Sequence, residues 1–372
     1  FQLPNCQSET ATRDAIMVVA LIALASITLV LDAAGVGVVG TSRWHGSSNR
    51  VVARLDGLPP LSPGPQDTTH RAGFVSILGV PNVGKSTLMN QLVGEKLSIT
   101  TAKAQTTRHR IMGILNGAEY QIVYSDTPGV LLPHYKLQEG MMRFVQGSIN
   151  DADILILVVD VYQTEFPDPK LLRQLKSSSA AMLVLLNKVD LLMDGSPLTL
   201  QKRELLGTEE ELLAHWGREF PGASVLPISA RQGKGLDGVL ERLVALLPCH
   251  PPFFPKDQLT DKPEKFFAAE MLRESIFELY SQEVPYSTEV AVQSFKEQDD
   301  IIRIHCDIYV AQESQKGIII GSKGSAIKRV GIRSRKRMEE FFQKKVHLET
   351  RVKVRKAWRE DETSLREFGY LS

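Results

Sequence analysis

The chain has 372 residues, more than one compact domain usually holds, so we expect two or three domains. Its composition, with 43% hydrophobic and 23% charged residues, is typical of a globular protein, and a net charge of +1 gives no general affinity for nucleic acid. The three cysteines are far apart and form no CxxC pair, which argues against a disulfide scaffold or a zinc site and suits a reducing compartment.

Residues 1–71 form an N-terminal extension that differs from the rest of the chain. Ala15–Leu31 is an uninterrupted apolar run, and Thr41–Leu55 carries arginine and serine but no acidic residue. Pro59–Pro65 is predicted to be a linker. Three interpretations stay open for this region: a targeting peptide, a membrane anchor, or an error in the gene model.

Short apolar runs alternate with segments of helical spacing from residue 72 to residue 248. This alternation predicts an α/β domain with a mostly parallel sheet and helices on both faces. A proline-rich stretch ends the domain, and 249–265 is predicted to be a linker. The predicted strands are Phe74–Leu78, Ile111–Leu115, Ile122–Tyr124, Ile154–Val159, Met182–Leu186 and Val225–Ile228.

The segment Gly79–Ser86 (GVPNVGKS) matches the phosphate-binding pattern GxxxxGK[ST] between a predicted strand and a predicted helix. Its glycines allow backbone N–H groups to surround phosphate oxygens at the helix N-terminus. Lys85 would reach the β- and γ-phosphates, and the Ser86 hydroxyl would hold Mg²⁺. The residues expected to bind nucleotide here are Gly79, Asn82, Val83, Gly84, Lys85, Ser86 and Thr87.

Two further segments complete the predicted phosphate and magnesium site. Asp126 and Gly129 (DTPG) follow a strand, where the carboxylate can hold Mg²⁺ and the glycine N–H can contact a γ-phosphate. Thr107, in preference to Thr106, is expected to bind Mg²⁺ only when γ-phosphate is present, which makes its segment a switch. We therefore assign catalysis to Lys85, Thr107 and Gly129, and the metal to Ser86, Thr107 and Asp126.

Val130 occupies the position where Ras-type GTPases carry the glutamine that orients water. Because valine cannot do so, we expect slow intrinsic hydrolysis, with the missing group supplied by RNA, the ribosome or a cation. Asn82 is placed to help hold a monovalent cation such as K⁺ beside the phosphates.

The sequence Asn187-Lys188-Val189-Asp190 follows another predicted strand. The Asp190 carboxylate can accept hydrogen bonds from N1 and the exocyclic N2 of guanine, a donor pair that adenine lacks, so the motif selects GTP and GDP over adenine nucleotides. At the end of the next strand, Ser229 and Ala230 fit a backbone contact to guanine O6.

Residues 266–372 have the predicted order α-β-β-α-α-β of a small α+β domain. Between two apolar helical stretches lies a GxxG loop, Gly321–Gly324, of the kind that KH domains use to approach the phosphates of single-stranded RNA. Met338, Phe341 and Phe342 are interpreted as core rather than as base-stacking platforms. The residues expected to contact RNA are Ile320, Gly321, Ser322, Lys323, Gly324, Lys328 and Arg329.

The region downstream of this loop is strongly basic. Twelve lysines and arginines between Lys328 and Lys356 share that stretch with only Glu339, Glu340 and Glu349. A solvated helix face is the ordinary explanation of such a run, but beside a GxxG loop it favours RNA binding.

Taken together, these motifs closely resemble the Era family of ribosome-assembly GTPases. Further matches are KAQTTRHRI, FPKDQLTDKPEKFFAAEMLRE, SQKGIIIGSKG and KVRKAWREDETSLREFGY, so the resemblance covers about 73–371. It implies a P-loop GTPase joined to a type II KH domain, which binds the 3′ end of small-subunit ribosomal RNA when GTP is present. It also implies a role in maturation of the small ribosomal subunit. The GSKG loop departs modestly from the usual family loop but keeps both glycines.

The extension, absent from typical bacterial members, favours a nuclear-encoded organellar form. A plastid is the first choice and a mitochondrion the second, with the cytoplasm for a bacterial protein. We expect a monomer that binds the precursor of the small subunit. Two alternatives stay open: a P-loop GTPase of tRNA modification or of a membrane, to which residues 15–31 could attach it peripherally, and an RNA chaperone with a vestigial GTPase.

Overall fold

The computed structural model describes residues 69–371 except 102 and 194–207. All of them belong to one compact unit, 50–372. The interpretations of the apolar run and of the basic stretch in the N-terminal extension lie outside the described residues.

The first sheet has the strand order β2-β3-β1-β4-β5-β6. All neighbouring strands are parallel except β2, which pairs antiparallel with β3 at the edge. This confirms the predicted mostly parallel α/β fold. Its strands are β1 (Arg71–Leu78), β2 (Ile111–Asn116), β3 (Tyr120–Asp126), β4 (Ile154–Asp160), β5 (Ala181–Asn187) and β6 (Ser224–Pro227).

Helices cover both faces of this sheet, because its central strands are apolar on both sides. Helices α1 and α6 pack on one face, and α2, α3 and α5 pack on the other. Helix α3 has Pro169 in its first turn and is capped by the Asp168 carboxylate. The helices are α1 (Lys85–Val93), α2 (Lys136–Asn150), α3 (Pro169–Lys176), α4 (Asp190–Met193), α5 (Glu209–Glu219) and α6 (Leu236–Leu246).

Residues 249–263 run along the edge of the sheet and are held there by side chains and backbone. The Gln121 side-chain amide donates to the Phe254 carbonyl at 2.8 Å, and the Ile114 N–H donates to the Leu259 carbonyl at 2.8 Å. The Asp261 carboxylate accepts from the Met112 N–H at 3.1 Å. The chain between the two domains is therefore packed against β2 and β3.

The second domain confirms the predicted α-β-β-α-α-β order. Strand β8 lies between β7, which is antiparallel to it, and β9, which is parallel. Its second helix begins at Glu313, five residues before the predicted apolar stretch, because Gln312 and Gln315 form a capping box. The elements are α7 (Glu264–Leu279), β7 (Glu289–Glu297), β8 (Ile301–Val310), α8 (Glu313–Ile320), α9 (Ser325–Phe342), β9 (Lys345–Val354) and α10 (Glu362–Glu367).

The aromatic and sulfur side chains at the end of α9 belong to the core, as expected. Met338 is fully buried, and Phe341 and Phe342 pack against the same apolar cluster. Across the described ranges, the structure contains no helix with both the length and the apolar character needed to cross a bilayer.

Candidate nucleotide and RNA sites

The loop between β1 and α1 is built on glycines that no other residue could replace without strain. Gly79 has φ +150°, and a Cβ there would lie 2.3 Å from the Val158 carbonyl oxygen. Gly84 has φ +102°, and its Cβ would lie 2.4 Å from Nδ2 of Asn187. The loop therefore closes tightly around a space into which backbone N–H groups can point.

Lys85 lies at the start of α1 and is buried inside this loop. Its ammonium donates to the carbonyls of Gly79 at 3.1 Å and Val80 at 3.0 Å. These bonds hold the charge over the loop, where the phosphates of a nucleotide would lie.

Three oxygen-bearing side chains from separate segments meet beside Lys85. The Ser86 hydroxyl donates to Oδ2 of Asp126 at 2.7 Å and lies 2.8 Å from the Thr107 hydroxyl, which is 3.4 Å from the same carboxylate oxygen. Oδ1 of Asp126 is buried and has no hydrogen-bond partner among the described residues. Clustered oxygen donors with an orphaned carboxylate oxygen fit Mg²⁺, which prefers such ligands. The adjacent Thr106 hydroxyl instead bonds Thr101 and the Lys103 carbonyl.

The electrostatics of this cluster favour charged ligands. Burial lowers the pKa of Lys85 to about 8, with the Asp126 carboxylate opposing the shift. Burial also raises the pKa of Asp126, while the Ser86 hydrogen bond, the Lys85 charge and the Thr107 hydroxyl oppose the shift. An anion beside the lysine and a cation beside the carboxylate would relieve both desolvation costs, as a magnesium nucleotide does.

The DTPG segment lies directly on the glycine loop. The Val130 N–H donates to the Gly79 carbonyl at 3.0 Å, and the Thr127 hydroxyl donates to the Ile77 carbonyl at 2.7 Å. A Cβ at Gly129 would lie 2.7 Å from the Pro81 backbone nitrogen. Only a glycine permits this approach, which brings residue 129 to the phosphate end of the site. The buried Val130 side chain cannot orient a water molecule.

At the other end of the site, Asn187 joins three segments. Its side-chain amide donates to the Val83 carbonyl at 2.7 Å, and its Oδ1 accepts from the Ala230 N–H at 2.9 Å. The Ser229 hydroxyl donates to Oδ1 of Asp190 at 2.6 Å. The Ser229 bond fixes the orientation of the Asp190 carboxylate before any base arrives, which is the preorganisation that base recognition needs.

Between these two ends lies an open cavity of about 300 Å³. Most of the predicted nucleotide-binding residues line it, whereas Gly79, Val83, Asp126 and Ser229 support it from behind. The lining residues that the sequence did not single out are Ile99, Thr100, Thr101, Gln105, Leu191 and Arg231.

The GxxG loop joins α8 to α9 and projects into solvent. Gly321 has φ +71°, and a Cβ there would lie 2.6 Å from Cβ of Ala326, whereas the space around Gly324, at φ +75°, is open. Ser322 and Lys323 are exposed. The exposed Ile318 and Ile332 flank the loop in sequence and provide apolar surface of the kind on which bases lie in KH domains.

The basic stretch is more neutralised than its sequence indicated, because its arginines find acidic partners outside it. Arg333 and Arg337 pair with Glu278 of α7 at 2.8 and 2.7 Å. Similar pairs join Lys344 to Glu297, Lys353 to Asp307 and Arg355 to Glu367. Within the described ranges, Lys323, Lys328 and Arg329 have no ion-pair partner, so the predicted RNA contacts next to the loop keep their charge available.

Comparisons with known proteins match both halves of this arrangement. The profile of the 50S ribosome-binding GTPase family matches residues 74–188, and that of the KH domain matches residues 283–359. GTPase Era of Syntrophus aciditrophicus is 44% identical over 303 residues, which cover 81% of this chain and 95% of that protein. The chloroplastic GTPase ERA1 of Zea mays is 43% identical over 309 residues, covering 81% and 71%.

Two solved structures share the fold of both domains. Era in complex with MgGDPNP and nucleotides 1506–1542 of 16S ribosomal RNA superposes with a TM-score of 0.74 at 34% identity, covering 82% of this chain and 100% of that one. Era of Aquifex aeolicus bound to GDP·AlF₄⁻ also gives a TM-score of 0.74 at 34% identity, with 81% and 100% coverage.

Proposed function

This chain belongs to the Era family of GTPases, and we propose that it couples GTP binding and hydrolysis to recognition of the 3′ end of small-subunit ribosomal RNA during assembly of that subunit. The observation that carries the proposal is the presence, in one chain, of a preorganised guanine site and a GxxG loop with unpaired cations beside it.

In the proposed mechanism, Asp190 accepts from the guanine base and the backbone N–H groups of Gly79–Ser86 surround the phosphates. Lys85 keeps its proton on Nζ and balances charge on the β- and γ-phosphates. Ser86, Asp126 and Thr107 are the residues that would hold Mg²⁺, which would supply neutralisation of the phosphate charge. The Gly129 N–H would donate to the γ-phosphate.

Because the side chain after Gly129 is valine, we propose that intrinsic hydrolysis is slow and that a monovalent cation accelerates it. Asn82, which adopts a left-handed backbone conformation with φ +67°, lines the site and would help to hold K⁺. Turnover measured in K⁺ should exceed turnover in Na⁺ at equal ionic strength. Equal rates in the two salts would contradict the cation proposal and leave the GTPase assignment intact.

On the RNA side, we propose that the backbone of Gly321–Gly324 approaches phosphates while Lys323, Lys328 and Arg329 neutralise them. The RNA in the Era complex with MgGDPNP is the 3′ region of 16S ribosomal RNA, which supports the same target here. The precursor of the small ribosomal subunit would present this strand, and we propose that the protein meets it as a monomer.

The similarity to chloroplastic relatives from Zea mays and Oryza sativa supports a plastid location. We propose that the protein works in the stroma, where the plastid ribosome is assembled. Peripheral attachment to a membrane through residues 15–31 is a further proposal, and flotation of the full chain against a chain of residues 72–372 tests it.

The decisive experiment measures nucleotide and RNA binding separately on the purified full chain. Fluorescent GTP, GDP and ATP report the first, and a labelled oligonucleotide of the small-subunit rRNA 3′ end, against a scrambled oligonucleotide, reports the second. We expect guanine nucleotides to bind in preference to ATP and the authentic 3′ end to bind in preference to the scrambled strand. A preference for adenine, or indifference to single-stranded RNA, would refute the proposal.

A further inference from the structure

Two cationic side chains of the nucleotide-binding domain, Lys103 and Arg108, lie on either side of Thr107 in the sequence. Both donate hydrogen bonds to residues of the RNA-binding domain. We infer that they fasten the segment Lys103–Arg108 to that domain and thereby position Thr107 for the magnesium nucleotide. The inference rests on the proposed function and deepens it, since it names the residues through which the two sites would communicate.

Arg108 is the stronger of the two anchors. Its guanidinium is 2% exposed and donates to the carbonyls of Thr288 at 2.8 Å and Pro285 at 3.1 Å and to the Glu289 carboxylate at 2.9 Å. It also lies 5.7 Å from the ring centroid of Phe277. A fork of this kind satisfies several acceptors at fixed angles, which an ammonium cannot reproduce. Because Arg108 directly follows Thr107, a shift of this anchor displaces the threonine hydroxyl.

Lys103 holds the other end of the segment. Its ammonium donates to the carbonyls of Phe277 and Tyr280, at the C-terminal end of α7. These belong to the helix end, where carbonyls lack intrahelical partners and a cation is favoured. The four residues between the anchors are thus held from both sides, by the C-terminal end of α7 and by residues 285–289.

The same end of α7 contacts the segment that leads into the GxxG loop. The Tyr280 hydroxyl donates to the Ile319 carbonyl at 2.7 Å, one residue before Ile320 and two before Gly321. Both Tyr280 and Ile319 are buried. Thr106, next to Thr107, donates its hydroxyl to the Lys103 carbonyl at 2.7 Å. A path therefore runs from the Thr106-Thr107 pair through Lys103 and Tyr280 to the segment that leads into the GxxG loop.

The anchored position of Thr107 should matter for GTP binding and not for GDP binding. Thr107 is assigned to the state with γ-phosphate, whereas the base is assigned to Asp190 and the other phosphates to the loop Gly79–Ser86, none of which the anchors contact. Loosening the anchors should weaken GTP binding and spare GDP binding. By thermodynamic reciprocity, RNA at the loop should then alter GTP affinity by the same factor as GTP alters RNA affinity.

The first test compares Arg108→Lys and Lys103→Gln with Arg110→Lys. Arg110 is a matched control, because it pairs with Ser125 and Asp151 inside the nucleotide-binding domain. Titration of the full chain with a fluorescently labelled non-hydrolysable GTP analogue and with labelled GDP at several Mg²⁺ concentrations gives both affinities.

For both anchor variants we expect a loss of about tenfold in analogue affinity, a higher Mg²⁺ requirement and GDP affinity within about twofold of the parent chain. Arg110→Lys should behave like the parent chain. If the anchor variants lose both nucleotides equally, or neither, the inference is overturned. Lys103→Gln should fold even if Arg108→Lys does not, because Lys103 is only partly buried, and it therefore keeps the test informative.

The second test uses Tyr280→Phe, which removes one hydroxyl, with Tyr309→Phe as the control in the same domain. RNA affinity is measured with the analogue and with GDP, and the ratio of the two is the readout. We expect Tyr280→Phe to reduce that ratio several-fold while each nucleotide still binds, and Tyr309→Phe to preserve it. An unchanged ratio in Tyr280→Phe contradicts the relay.

Failure of the inference can be told apart from failure of the proposed function. If the parent chain binds guanine nucleotides and the rRNA 3′ end with an RNA affinity that depends on the nucleotide, but the anchor variants keep the parent chain's preference for the GTP analogue over GDP, only the inference is refuted. If the RNA affinity of the parent chain does not depend on the nucleotide, the coupling in the proposed function is refuted as well. If the parent chain binds neither ligand, the proposed function itself is refuted.

Discussion

At the scale of single residues, the base site offers the sharpest prediction. The Ser229 hydroxyl donates to Asp190, so in Asp190→Asn the side-chain oxygen can keep that bond and turn its NH₂ group toward the base. Guanine presents donors to that group, whereas xanthine presents a carbonyl at position 2. We expect GTP affinity to fall by about a hundredfold or more and affinity for xanthosine triphosphate to rise. Competition between the two nucleotides measures this, and a variant that still prefers GTP would contradict the role of Asp190.

A second residue-scale prediction concerns the two described cysteines. Burial, with a smaller contribution from the Asp307 charge, raises the pKa of the Cys306 thiol to about 12. A raised thiol pKa means that the thiolate forms only as pH rises toward that value, so at pH 8 Cys306 remains in its unreactive thiol form. Cys249 is exposed.

Labelling the folded chain with iodoacetamide at pH 8, followed by peptide mass spectrometry, should therefore modify Cys249 and leave Cys306 intact. Labelling in guanidinium chloride should modify both, which serves as the control. Equal labelling of the two cysteines in the folded chain would show that the core around β8 opens readily.

At the scale of elements, substitutions in the turn between α8 and α9 can separate the effect of side-chain charge on RNA binding from the effect of side-chain shape. Any side chain at Gly321 would collide with the first turn of α9, so substitutions there change the backbone as well as the surface. Gly324 has a left-handed conformation with open space around its Cβ, and aspartate and asparagine tolerate that conformation better than most residues. Gly324→Asp and Gly324→Asn therefore form a matched pair of nearly equal shape.

We expect Gly324→Asp to weaken binding of the rRNA 3′ oligonucleotide by about tenfold or more, because a carboxylate would face phosphates. Gly324→Asn should lose about threefold at most, and both should bind GTP normally. The measurement is RNA affinity at fixed salt, repeated at higher salt, where the difference should shrink. An equal loss in both variants would assign the effect to loop geometry rather than to charge.

At the scale of the whole molecule, sequence patterns indicated which candidate-site residues lie together better than they indicated the contacts between domains. Asp126, Asn187 and Ser229 follow or end strands of one sheet, so parallel topology brings them together without further information. Nothing comparable announces that Arg108 meets Glu289, 181 positions away, or that Arg333 pairs with Glu278. Side-chain pairing across domains has no periodicity, and this is also why the basic stretch seemed more open than it is.

The C-terminal segment provides a whole-molecule prediction, since it packs against both domains. Trp358 and Tyr370 are buried with Leu137 and Met141 of α2, and the Tyr370 hydroxyl donates to the Glu289 carboxylate at 2.6 Å. Tyr370→Phe leaves Glu289 buried with one partner fewer. We expect the free energy of unfolding to fall by about 1–3 kcal/mol.

Urea denaturation of the full chain measures this loss. Tyr309→Phe is the control, because its hydroxyl lies 3.4 Å from Asp307 at a partly buried position and should cost less. Because Glu289 also accepts from Arg108, the Tyr370 variant should lose part of the discrimination between the GTP analogue and GDP as well. If Tyr370→Phe unfolds at the same urea concentration as the parent chain and keeps that discrimination, the C-terminal segment does not support the anchor. Arg108 would then depend on the acceptors of residues 285–289 alone.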